Sequence, residues 1–313
     1  MIMYNLFDTC LRKMYILGLF ACLVFAGTAY CSSQGTSGAQ FLEIVASPRA
    51  AAMGSAFTAF CDDANSVEFN PAGLAYLDKR EVSLVQNNWV QGVSNQYLTA
   101  AVPTSVGVFN LNLVMLSVDG IVRTDDTGSS KGTFGSSNLA AGIAYANSFA
   151  YGMFSAGLNI KSLSQTIDNA GAAGIAGDFG FICRCSSSFN IGASLLNAGS
   201  GVKFISSADP LPTTVRAGIM YMPVKGFKMG LDANRPNDAD ADFGAGAEYS
   251  IKAGRKFVFP IRTGYRTGKQ TGGVSGLAAG CGIIYKGVLE IDFSWVPMSL
   301  LGDTTQFGLT CRF

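Results

Sequence analysis

YGMFSAGLNIKSL, residues Tyr151 to Leu163, alternates. Phe154, Ala156, Leu158 and Ile160 fall on one side of an extended chain, and Ser155, Gly157, Asn159 and Lys161 on the other. Successive side chains of a strand point to opposite faces, so the stretch reads as a strand with one apolar and one small or polar face. The same split recurs along the chain. Phe179, Phe181 and Cys183 oppose Asp178, Gly180 and Arg184, and Val215, Ala217, Ile219 and Tyr221 oppose Thr214, Arg216 and Gly218. Phe243, Ala245, Ala247, Tyr249 and Ile251 oppose Asp242, Gly244, Gly246 and Glu248. Phe257, Phe259, Ile261 and Tyr265 oppose Arg262 and Arg266, and Leu289, Ile291, Phe293 and Trp295 oppose Glu290, Asp292 and Ser294.

Repeated between clusters of Gly, Asn, Asp, Ser and Pro, the pattern predicts an all-β chain of about fourteen strands. They start near Arg80, Gln96, Val106, Asn138, Tyr151, Ala172, Phe189, Leu211, Phe227, Ala241, Lys256, Thr271, Val288 and Thr304. Either a soluble sandwich or barrel with its apolar face inward or a transmembrane barrel with its apolar face toward lipid accepts such strands. The polar face favours the barrel, because it is mostly Gly, Ala, Ser and Asn with sparse charge, as a crowded lumen would be. Long connections at Asp119–Gly135, Ser164–Gly171 and Gly199–Pro210, against short turns at Asn147–Ala150 and Lys286–Gly287, fit the two ends of such a barrel. Closure follows, because an open sheet edge in hydrocarbon leaves unsatisfied backbone groups. A water-soluble, secreted β-protein is the competing class and would partition without detergent.

Composition narrows the chemistry. Of 313 residues, 49% are hydrophobic and only 14% charged, below the roughly 25% of soluble domains. With 22 basic against 21 acidic residues there is no global field to gather nucleic acid. The absence of histidine removes the commonest general base and metal ligand, so the expectation is a non-enzyme without cofactor, metal or catalytic residues. Glu290 and Asp292 share the polar face with Arg262, Arg266 and Arg312 and read as a charge ladder rather than a catalytic pair. Cys183 and Cys185 stand on the apolar face as small apolar residues, since a structural zinc site needs about four convergent ligands.

Residues 1–29 read as a signal peptide. Arg12 and Lys13 precede an apolar run from Met14 to Gly27 that is too short to span a bilayer, and small residues place cleavage after Ala29. Removing the segment leaves the remainder formally neutral. Tyr30 stands before Cys31 where a lipid-attachment box needs a small residue, which argues against lipidation.

Residues 30–79 do not alternate, and residues 80–313 form the expected barrel. Ala50–Phe60 reads as a short helix, and Asn70–Pro71 marks a turn. Gly73 offers close backbone approach or positive φ, and Arg49 has Asp62 or Asp63 as partners. A segment this rich in Ala and Gly fits inside a lumen lined by small residues, as a structural plug more than as an independent gate.

The string Arg49, Ala50, Met53, Gly54, Ala56, Phe57, Thr58, Ala59, Asp62, Asp63, Ala64, Asn70, Pro71, Ala72, Gly73, Leu74 resembles the opening of the PorV/PorQ family. The resemblance covers about thirty-five residues. It departs at Ser55, where that family usually has Gly, and at Glu68. It implies a fourteen-stranded outer-membrane barrel, similar to the FadL long-chain fatty-acid transporter, with an N-terminal hatch carrying Arg49, Met53, Gly54, Asp62, Asp63, Asn70, Pro71 and Gly73. The terminal Phe313, in line with Phe307, Leu309 and Cys311, resembles the closing strand of such barrels. Two functions follow: passage of hydrophobic ligands such as fatty acids through the outer-membrane lipid, or docking to secretion-system proteins in type IX secretion. Lys161, Asp178, Arg184, Arg216, Glu248, Arg262, Arg266, Glu290 and Asp292 are the expected lumen-facing polar residues.

Overall fold

The computed structural model describes residues 35–60, 62–89, 92–204, 207–268, 276–298 and 301–313. The expected signal peptide, Cys31, Cys61 and the strand start at Thr271 lie outside the described residues. The strands are β1 (Glu81–Asn88), β2 (Ser94–Thr104), β3 (Gly107–Thr124), β4 (Ser130–Phe149), β5 (Phe154–Ile167), β6 (Ala170–Ser186), β7 (Phe189–Gly199) and β8 (Val202–Lys203). They continue as β9 (Ala208–Asp209), β10 (Thr214–Val224), β11 (Phe227–Pro236), β12 (Asp242–Ala253), β13 (Phe257–Arg266), β14 (Leu277–Tyr285), β15 (Leu289–Pro297) and β16 (Asp303–Arg312).

All except β8 and β9 close into one barrel in which each strand pairs antiparallel with its sequence neighbour and β1 pairs β16. Fourteen strands therefore leave no edge, the condition for a sheet in hydrocarbon. The seam runs in continuous register from Glu81↔Arg312 to Asn88↔Thr305, and Arg80 and Phe313 extend it with two backbone hydrogen bonds of 3.1 and 2.9 Å.

Alternation along each strand becomes outside against inside. Ile143, Phe243 and Phe313 are 66%, 58% and 67% exposed on the outer wall, while Asn112, Asp178, Glu248 and Arg262 are buried on the inner one. Cys183 and Cys185 lie on the outer side of β6 with their sulfurs 3.5 Å apart.

Two expected loops prove to be strand. β3 and β4 continue through most of Asp119–Gly135 to a turn at residues 125–129, and β5 reaches Ile167 before Ala170 opens β6. Alternation there is carried by Thr, Ser and Gly rather than by apolar residues, so it escapes a hydrophobicity pattern. The turn at 125–129 closes on Asp125, whose Oδ1 accepts from the Thr127 hydroxyl and the Thr127 and Ser129 amides at 2.6, 3.0 and 2.9 Å. Conversely Tyr151–Met153, expected to open a strand, belong to a turn in which Ala150 and Tyr151 have φ of 51° and 59°.

The two ends differ. Tight turns at residues 105–106, 187–188 and 225–226 stand on the side of Arg80 and Phe313, and longer connections, apart from the turn at residues 168–169, stand on the other. The longest described one folds into the β8–β9 pair and turns inward, burying Val202 and Leu211.

Candidate functional site

Residues 35–80 thread the lumen from the long-loop end to the short-turn end. Gly38 donates to the Pro210 carbonyl at 2.8 Å and Gln40 Nε2 to Asp238 at 2.6 Å, fixing the entry at the mouth. Helix α1 (Pro48–Ala52) follows, capped by Ser47, whose hydroxyl accepts from the Ala50 amide, with Pro48 at its first position. The helix expected over Ala50–Phe60 ends there, because Gly54 and Ser55 take φ of 61° and 62°. Beyond that bend the Phe57 and Thr58 amides donate to Asp232 Oδ2 on β11, at 3.0 and 2.9 Å, so the wall replaces the missing helical acceptors.

Close approach sets the composition of the facing wall. A side-chain carbon at Gly264 would overlap the Met53–Gly54 backbone, and one at Gly180 would overlap Asn70 Oδ1. Glycine on the barrel is the space in which the plug sits.

Arg49 joins plug and wall. Its Nε and Nη2 donate to the two oxygens of Glu248 at 2.8 and 2.9 Å, while Nη1 reaches Asp62 at 2.6 Å and Asp63 at 3.1 Å. Asp62 in turn accepts from Lys228 at 2.7 Å. The fork-on-carboxylate geometry suits a guanidinium and fixes orientation as well as charge. Arg262 extends the network with Nε to Glu248 at 2.7 Å, Nη2 to Glu290 at 3.3 Å, and Nη1 to Asp292. It reaches β15 across β14 because Gly280 and Gly282 present no side chain between Arg262 and the two carboxylates. Arg312 then links Glu290 at 2.6 Å to Glu81 at 3.1 Å across the seam.

The expected partnership of Arg266 with Glu290 and Asp292 does not form. Arg266 instead forks onto Asp242, with both contacts at 2.8 Å, because the β12–β13 register sets it opposite Gly244. Arg216 bridges Asp232 at 3.2 Å and donates to the Ser55 carbonyl at 2.6 Å.

The opposite wall, β2 to β7, is built of amides. Asn112 donates to Asn110 and Asn159, and Asn159 donates to Asp178 at 2.9 Å. Lys161 pairs with Asp178 at 2.8 Å and also donates to Asn197. Nearer the short-turn end, the Arg184 guanidinium lies 3.3 Å from the centre of the Tyr76 ring.

Asn70 is the plug's anchor on this side. Its Oδ1 accepts from the Ala72 amide, and its Nδ2 donates to the carbonyls of Thr58 and Phe181 at 2.9 and 3.1 Å. Pro71 opens the 3-10 helix Pro71–Tyr76, and Gly73 sits inside that helix, so of the two uses expected of Gly73, close backbone approach or positive φ, the second is absent. Met53 is fully buried. Glu68 accepts from the Ala46 amide at 3.3 Å, and burial pushes its carboxyl up to about 8 against that bond.

At the mouth, between plug and strand ends, lies a cavity of about 390 Å³, within the range of small-molecule sites. Ile44, Val45, Trp89, Val296, Pro297 and Met298 give it an apolar lining, and Glu43 and Arg266 are its charged members among the described residues. Two smaller cavities, of about 30 and 50 Å³, lie deeper, and Ile44 lines all three. The segment around Ile44 is thus a strap between mouth and interior. Among the described residues no cluster of His, Cys, Asp or Glu is arranged to hold a metal.

Alternation placed the nine lumen-facing polar residues on one face of their strands, and the inner wall brings them together around the plug. Glu81, Lys228, Asp232 and Asp242 complete the ion pairs without having been singled out as site residues, although the last three share the polar face of their strands. Of the cavity lining, Gly54 and Arg266 were among the expected residues, and the apolar members were missed, because strand ends carry no periodic signal.

The model of the "Uncharacterised protein family (UPF0164)" matches residues 26–105, which include the plug and the first two strands. No curated protein matches the sequence. Among solved structures, the CymD monoaromatic hydrocarbon channel is similar at 13% identity and a TM-score of 0.58, over 86% of this chain and 98% of that one. The Ralstonia pickettii toluene transporter TbuX is similar at 13% identity and a TM-score of 0.57, over 87% and 100%. A Pseudomonas aeruginosa FadL homologue is similar at 11% identity and a TM-score of 0.53, over 85% and 97%. At such identities the likeness is one of fold, and that fold is the closed fourteen-stranded antiparallel barrel of the FadL-like proteins.

Proposed function

We propose that this protein passes hydrophobic small molecules across a bacterial outer membrane, with residues 30–79 as the hatch of a barrel formed by residues 80–313. The observation that carries the reading is the apolar cavity of about 390 Å³ at the mouth of a lumen filled by its own chain. A lumen occupied by its own chain, with an apolar vestibule at one end, suits a ligand that binds before it passes. The exposed apolar outer wall supports a lipid surround. Two of the similar structures named above, CymD and TbuX, are by description a monoaromatic hydrocarbon channel and a toluene transporter, which favours the same class of cargo here.

Docking in type IX secretion is the alternative that the PorV/PorQ resemblance implies. It rests on the string from Arg49 to Leu74 alone. Reconstitution of the full chain into liposomes separates the two. Saturable entry of a radiolabelled apolar compound, with small polar solutes excluded, is the result expected of a transporter. Liposomes that take up the apolar compound no faster than protein-free ones would refute it and leave the docking role.

A further inference from the structure

We infer that the mouth cavity selects uncharged apolar compounds and rejects their carboxylate counterparts, an inference that rests on the transport reading above. The cation of the cavity's described lining is already paired. Arg266 is the cation in the described lining, and all three of its nitrogens are engaged: Nε and Nη2 with Asp242 at 2.8 Å each, and Nη1 with the Ser55 hydroxyl at 3.5 Å. Asp242 is held from its other side by Asn234 Nδ2 at 2.8 Å, so the fork is seated rather than transient.

Glu43 adds a carboxylate to the same lining. The amides of the lining are also engaged, since Gln306 Nε2 donates to the Val45 carbonyl at 2.8 Å and Gln40 Nε2 to Asp238 at 2.6 Å. An anionic head entering this space loses its hydration, faces Glu43, and among the described residues of the lining finds a cation in Arg266 alone, which it must share with Asp242. A neutral molecule incurs none of these costs and keeps the apolar contact with Ile44, Trp89 and Met298.

The test is equilibrium binding of a matched pair, p-xylene and p-toluate, to the full-length protein in detergent at neutral pH, read by tryptophan fluorescence because Trp89 lines the cavity. The wild type should bind p-xylene at least roughly 10-fold more tightly than p-toluate. Asp242→Asn frees Arg266 while keeping the side chain's shape. It should tighten p-toluate several-fold and leave p-xylene unchanged. Glu43→Gln, which leaves the fork intact, should move p-toluate the same way by a smaller factor and keeps the test available if the first variant fails to fold.

Equal affinity for the two compounds in the wild type would overturn the selectivity and spare the transport reading. A p-toluate affinity that the folded variants leave unmoved would overturn its charge origin. Saturable binding of neither compound would remove the cavity as a site, and the selectivity with it.

Discussion

The two sides of the barrel's inner wall hold the same plug by different means. From β11 through β16 and on to β1, the wall offers Lys228, Asp232, Asp242, Glu248, Arg262, Arg266, Glu290, Asp292, Arg312 and Glu81, and most of these charges meet a partner within 3.3 Å. From β2 to β7 it offers Asn, Gln, Ser and Thr, with Lys161–Asp178 as the buried ion pair on that side among the described residues, while Arg123–Asp168 and Lys131–Asp125 are more exposed and lie toward the long-loop end. Neither amide atom of Asn95 has a hydrogen-bond partner among the described residues. The plug meets the charged side through the Arg49 fork and the Asp232 clasp, and the amide side largely through backbone and small residues around Asn70. A buried ion pair that loses one member leaves the other uncompensated, whereas a neutral hydrogen bond is worth about 1 kcal/mol net. The charged side therefore holds the plug more strongly than the amide side.

The contrast can be broken from either side. Arg262→Ala strips Glu248, Glu290 and Asp292 of a shared cation. It should destabilise the protein by about 3–5 kcal/mol in a denaturant titration in detergent; a loss below 1 kcal/mol would deny the charged side its role. Gly264→Val pushes a side chain into the Met53–Gly54 backbone and should cost about 1–3 kcal/mol. It should also open a small-solute leak in liposomes, and a sealed barrel would contradict the close fit.

On the other side, Asn112→Ala removes two amide contacts and should cost only about 1–2 kcal/mol. A loss as large as that of Arg262→Ala would erase the distinction between the sides.

Acidity adds a test through Glu68, which lines the deeper cavities beside Asn197. Its carboxyl is raised by burial to about 8. Its protonated form therefore stabilises the seated plug fully below the ordinary carboxylate value, and that contribution is lost as pH rises through about 8. Protease sensitivity of the plug should rise between the ordinary carboxylate value and about 8 in the wild type, level off above that, and stay flat in Glu68→Gln; a flat wild-type profile would contradict it. The smallest effect is expected at Ser55, held at a φ of 62° where a side chain is disfavoured. Ser55→Gly should raise thermal stability by up to about 1 kcal/mol, and a lowered melting temperature would show that the hydroxyl outweighs the strain.

Period two carried most of the architecture, because every barrel strand must face two different media. It failed at Asp119–Gly135, where the strands run past the apolar band and neither face needs to be apolar. The plug's course was partly legible, since Asn70–Pro71 and Arg49 with its acidic neighbours are local signals. Ser55, noted in the sequence as a departure from Gly, proves to occupy a left-handed bend. Who pairs with whom was not legible. Arg266 chooses Asp242, and Arg262 reaches over Gly280 and Gly282, through the register between strands, which no single strand encodes. The mouth cavity converges from Ile44, Trp89 and Met298, positions brought together only by closure.

That closure has a consequence for assembly. Glu81 and Arg312, bonded across the seam, are 231 residues apart in the chain. A contact so distant carries a large loop-closure entropy and forms late. The plug, which precedes β1 and touches strands around the whole circumference, is synthesised first. Once the cylinder is shut, a segment stitched to opposite walls can enter it only by threading through one of its ends, whereas an open sheet can curl around it. The plug is then a mandrel on which the barrel is wound. In refolding from urea, Arg49→Ala should slow the appearance of the compact, heat-modifiable form on electrophoresis; an unchanged rate would mean that the barrel closes first and is filled afterwards.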